Sequence, residues 1–130
     1  MVLPVTLASA AAAAVMAFWL ARRCFSIRMK ESIAHGHGEH AVLARRMRAQ
    51  LNFVEYTPFV LILCGAIELS GKGGMWLAIV MAAFFLARIA HAFGMDSEAV
   101  PATHKIGMAG TFVVMLGLAV YAALVSARVV

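Results

Sequence analysis

Apolar residues fall in four long blocks, at about 3–20, 53–69, 74–93 and 106–127, and the stretches between them hold most of the charge. A helix needs about 20 mostly apolar residues to cross the hydrocarbon core of a bilayer, and each block comes near that length. Extending the blocks through their helix-compatible flanks predicts helices over about 3–34, 41–69, 74–94 and 104–127. The turn Glu68-Leu69-Ser70-Gly71-Lys72-Gly73-Gly74 is short, which makes the second and third helices antiparallel neighbours. The first block has no basic segment ahead of it and Arg22-Arg23 after it, so it reads as a span rather than a cleaved signal peptide. The pattern predicts one domain, 1–130: an all-α membrane protein with four spans in an up-down-up-down bundle. The consecutive alanines at 10–14 suit close helix packing in lipid, and Pro58 inside the second helix predicts a kink there.

Composition strengthens the membrane reading. The chain is 64% apolar and 13% charged, against about a quarter charged in soluble domains, and its mean hydropathy is +0.91. The net charge of +5 is unevenly placed. Arg22, Arg23, Arg28, Lys30, Arg45, Arg46 and Arg48 lie in or beside the first connection, whereas Lys72 is alone in the second and Lys105 adjoins the third. By the positive-inside rule the first and third connections face the cytoplasm, with both termini opposite. The host would be the inner membrane if the source cell is bacterial. Basic residues so distributed signal orientation and attraction to membrane lipid, not nucleic acid. Cys24 and Cys64 lack metal or disulfide spacing and read as buried apolar cysteines. His35, His37 and His40, with Glu39, occupy a glycine-containing loop that reads as solvated; no metal site is expected.

The candidate chemistry gathers at one membrane face. Arg45, Arg48, Asn52 and Glu55 follow helical spacing, so they share a stripe just before an uncharged segment. Arg88 and His91 share a face at the same end of the third helix, and His104 and Lys105 begin the fourth. Intramembrane polar groups face protein, water or a ligand. The excess of cations suits an anionic ligand with carboxylates, while Glu55 could receive an ammonium group. Glutathione fits that inventory, as do many other metabolites. The alternative is that Arg48 and Glu55 pair with each other or with Arg88 and lock helices together. Tyr56 fits an interfacial anchor as well as a ligand contact, and Tyr121 fits an anchor or a core residue.

At these residues the chain resembles a known family. The run Arg45-x-x-Arg48-Ala49-Gln50-x-Asn52-x-x-Glu55-Tyr56-x-Pro58 is similar to the signature of the MAPEG proteins, membrane-associated proteins of eicosanoid and glutathione metabolism. Ala87-Arg88-x-x-His91-x-x-Gly94 resembles that family's second segment, and Arg22-Arg23-Cys24-Phe25 the basic end of its first helix. The likeness, to a bacterial-type member, spans about 21–105 at motif level. It implies a homotrimer holding glutathione between neighbouring subunits near the cytoplasmic face. Carried over residue by residue, Arg48, Asn52, Glu55 and Tyr56 contact the tripeptide. Gln50, Arg88, His91, His104 and one of Arg22 and Arg23 are further ligand contacts. The implied activity is a glutathione transferase or peroxidase acting on lipophilic electrophiles or lipid hydroperoxides that arrive from the bilayer. The sequence departs from the characterised mammalian enzymes in two places. Met95 stands where they have tyrosine, and His104 and Lys105 stand where they place an arginine that stabilises the thiolate. Lys105 and Arg48 are accordingly the catalytic candidates. A non-catalytic membrane protein that binds a thiol or lipid and modulates a partner, and a small four-helix transporter, are the competing classes.

Overall fold

The structure, a computed structural model described over residues 2–130, consists of four helices. These are α1 (Pro4–Glu31), α2 (Ala41–Leu69), α3 (Met75–Gly94) and α4 (Ala102–Ser126). All four are long and apolar enough to cross a membrane. Each begins and ends for a local reason. Pro4 opens α1 at a position where its missing N–H costs nothing. Ser32 then turns left-handed at φ 54° and Ile33 N–H donates back to the Arg28 carbonyl at 3.0 Å, so α1 stops at Glu31, short of the expected 34. His40 caps α2, its Nδ1 accepting from Leu43 N–H at 3.2 Å. Pro101 stands at the N-cap of α4, and its carbonyl accepts from the N–H groups of His104 and Lys105, which starts the helix two residues earlier than expected. Helix α2 runs unbroken through Pro58. The turn between α2 and α3 uses Gly71 at φ +75° and Gly74 at φ +129°, conformations that favour glycine.

At 1.5 Å per residue α1 and α2 are each about 42–44 Å long, so both outrun a hydrocarbon core of about 30 Å. Their excess lies at the end holding the first connection, where the arginines are. Helix α4 packs on α3 and α2, α1 packs on α2 and α3, and α1 and α4 do not touch. One core cluster joins Val60, Cys64 and Ile67 of α2 to Leu77, Met81 and Phe84 of α3 and Leu118 of α4. A second joins Ala13, Met16 and Leu20 of α1 to Phe53 and Ala92. Both cysteines are free and buried. Outward faces stay apolar, with Phe18, Val113, Leu116 and Val120 exposed, as befits helices in lipid.

The α3–α4 hairpin is the tightest contact and it positions the site. A Cβ added at Gly107 would come within 2.5 Å of His91 Cβ and 2.7 Å of the Ala87 carbonyl oxygen. A Cβ added at Gly94 would come within 2.5 Å of the His104 backbone nitrogen. These two glycines let the backbones approach at the level of the two histidines.

Candidate functional site

Arg88 lies near the end of α3 and is only 1% exposed. One terminal nitrogen donates to Thr111 Oγ1 on α4 at 3.0 Å, and the other donates to Asn52 Oδ1 on α2 at 2.6 Å. The latter nitrogen also lies 3.3 Å from His91 Nδ1. A guanidinium has no acceptor, so Nδ1 accepts and the His91 proton resides on Nε2. Thr111 passes its own hydroxyl hydrogen to the Gly107 carbonyl at 2.8 Å. Arg88 Nε is buried without a partner. Among the described residues no carboxylate pairs with Arg88. A buried charge surrounded only by neutral acceptors is expensive, and the orphaned Nε–H adds to that cost.

Around this centre are two partly open features. Arg48 and Glu55, two turns apart on the outward face of α2, pair at 3.2 Å. The pair is exposed enough to be worth less than about 1 kcal/mol. Between α1 and α2 a cavity of about 470 Å³ is lined by Arg48 and Gln50 together with Arg28 and Cys24. On the α4 side, His104 is half-buried and its ring stacks, tilted by 40°, 4.9 Å from that of His91. Tyr56 packs edge-on against Phe112 of α4 with ring centres 5.4 Å apart. A separate groove of about 470 Å³ between α1 and α3, bordered by Trp19, Phe85 and Ile89, presents almost only apolar surface and does not belong to this constellation.

The same end is stapled by Asp96, in the connection after α3. Asp96 accepts from Arg23 of α1 and, at 3.1 Å, from Arg46 Nε of α2. Arg23 also donates to the Ala92 carbonyl at 3.1 Å and lies over the Trp19 and Phe93 rings at 4.9 and 5.3 Å. Three helices are therefore tied together by one carboxylate, with the flat guanidinium clasped between aromatic faces.

A model of the MAPEG family matches residues 6–124, from the first turn of α1 to the last turns of α4. The chain belongs to the MAPEG family. MAPEG members are membrane proteins connected with glutathione, and the four spanning helices agree with that class. No curated protein shows significant similarity to the chain.

Within this MAPEG chain the residues singled out from sequence divide into three groups. Asn52, Arg88, His91 and His104 come together between α2, α3 and α4. Arg48, Gln50 and Glu55 lie on the adjoining surface of α2, where Arg48 and Glu55 pair with each other, as one sequence alternative held. Tyr56 faces α4 through Phe112. The third group stands apart: Arg22 and Lys105 are exposed, and Arg23 is engaged with Asp96. Met95 is half-buried just beyond α3. Sequence reasoning gave no site role to Thr111, Asp96, Arg46, Arg28 or Cys24. The i, i+4 spacing of Gly107 and Thr111 was the available signal for the first, since a buried threonine on a helix returns its hydroxyl to the preceding turn. Asp96 could have been suspected from its place in the third connection, on the same face as the basic end.

Proposed function

We propose that this MAPEG protein binds glutathione at the basic end of the bundle, that this end faces the cytosol, and that the bound thiol attacks lipophilic electrophiles or lipid hydroperoxides as a thiolate. The observation that supports the reading best is Arg88, a buried guanidinium that lacks a counter-anion and has one N–H unsatisfied. Arg48 adds a second cation one turn from Asn52, and Glu55, released when the weak Arg48 pair opens, receives the ligand's ammonium group. Gln50 and Tyr56 supply further polar contacts. His104 and Lys105, at the start of α4, are the groups placed to receive the thiol proton or to stabilise the thiolate, since a neighbouring cation favours the ionised sulfur. Assembly as a homotrimer, with the ligand held between neighbouring copies, accounts for Gln50 and Arg22 lying apart from Arg88 in a single chain. The apolar exterior lets the second substrate enter sideways from the lipid.

The test is calorimetric titration of glutathione into the purified protein, with Arg48→Ala and Glu55→Gln alongside. Saturable binding weakened in both variants supports the site. Equal affinity in all three proteins removes Arg48 and Glu55 from it. A second reading is a non-catalytic glutathione-binding protein, favoured by Met95 and by the exposed, uncontacted Lys105. Glutathione-dependent turnover by purified protein, lost in Lys105→Ala or in a His104 variant, excludes that reading.

A further inference from the structure

The most specific construction in the molecule is the meeting of His91 and His104. It depends on two reciprocal glycine contacts: Gly107 on α4 leaves room for His91 Cβ, and Gly94 on α3 leaves room for the His104 backbone. The rings lie 4.9 Å apart as a result. Their situations differ. His91 is 1% exposed and its Nδ1 is occupied by the Arg88 N–H, which leaves Nε2–H as a donor. His104 is half-exposed, and no hydrogen bond among the described residues uses either of its ring nitrogens. One ring is a fixed donor inside the bundle, and the other is a free acceptor in contact with water. Lys105, next in sequence, is exposed.

We propose that His104 is the base that takes the proton of the bound thiol, while His91, held by Arg88, donates its Nε2–H to the resulting thiolate. The assignment rests on glutathione as ligand and names the group that activates it. In the step the S–H bond breaks, its electron pair stays on sulfur, and the proton moves to a free ring nitrogen of His104. The imidazolium then returns that proton to cytosolic water or to the leaving group. The charged groups that bear on His91 besides His104 are Arg88 from its own helix and Arg48 from α2. The pair is therefore set in a cationic field that a thiolate would complement.

The experiment measures three quantities on the full-length protein: glutathione affinity, the ultraviolet absorbance of bound thiolate against pH, and turnover of a soluble electrophile against pH. His104→Gln and His104→Asn keep the affinity, lose the thiolate signal and lower turnover roughly a hundredfold. Retained affinity also certifies that the variants fold, and two replacements guard against a defect peculiar to one. A full thiolate signal in both His104 variants overturns the assignment. Glutathione bound by the wild type wholly as the thiol overturns it while leaving the ligand in place. Failure of the wild type to bind glutathione overturns the ligand reading itself, and this one with it.

Discussion

At the end of the bundle where α1 begins, the Glu68 carboxylate accepts from Val5 N–H at 2.9 Å, Thr6 N–H at 2.8 Å and the Thr6 hydroxyl at 2.7 Å. Its neighbour α1 has no side-chain cap of its own at Leu3, so Glu68 from α2 supplies one, and the positive end of the helix dipole meets a negative charge. At the opposite end the Arg88 guanidinium meets only neutral acceptors and leaves Nε unpartnered. One charge is completed by the fold and the other is not. The completed charge stabilises the structure, whereas the incomplete one lowers stability and is the one an anion would complete. On this contrast Glu68 is a structural group and Arg88 is the proposed binding group.

Variants can sharpen that contrast. The largest effect is expected from Arg88→Met, which removes the buried charge with little change of volume. Glutathione binding should weaken by about 3 kcal/mol, roughly a hundredfold, while the thermal midpoint in detergent stays level or rises. A large drop in the midpoint with binding retained would make Arg88 a structural residue. Next comes Gly107→Val, whose Cβ would meet His91 Cβ at 2.5 Å. Overpacking of this kind costs about 2 kcal/mol, and it should separate the two histidines, reducing thiol activation more than ligand affinity. Glu68→Ala should lower stability by about 1 kcal/mol and leave glutathione affinity unchanged; a change in affinity would erase the distinction between the two ends. The smallest effect belongs to Arg45→Ala, whose contact with the exposed Glu98 is 3.9 Å long. Its stability change should stay below about 0.5 kcal/mol, measured by the same thermal unfolding.

Hydropathy blocks located all four helices because a lipid-facing helix must be apolar over its whole span, and the structure moved their ends by at most a few residues. Those shifts came from local backbone events: the left-handed turn at Ser32 and the N-cap at Pro101. The gathering of Asn52, Arg88, His91 and His104 was legible too, since helical spacing and antiparallel topology place them at one level. The partners were not. Spacing groups residues along one helix, but the pairing of Arg88 with Asn52 and Thr111, or of Asp96 with Arg23 and Arg46, depends on how helices are rotated against each other. Glu68 illustrates the same limit, because its capping partners lie more than sixty positions away. The three loop histidines read as one solvated group from sequence, whereas His40 turned out to cap α2.

The most direct test of the account is a side-by-side calorimetric titration of glutathione into the wild-type protein and Arg88→Met, each with its thermal midpoint recorded. The account predicts saturable binding by the wild type and its loss in a variant that unfolds at the same or a higher temperature. Equal binding by both proteins, or loss of binding only together with a collapse of the midpoint, would contradict it.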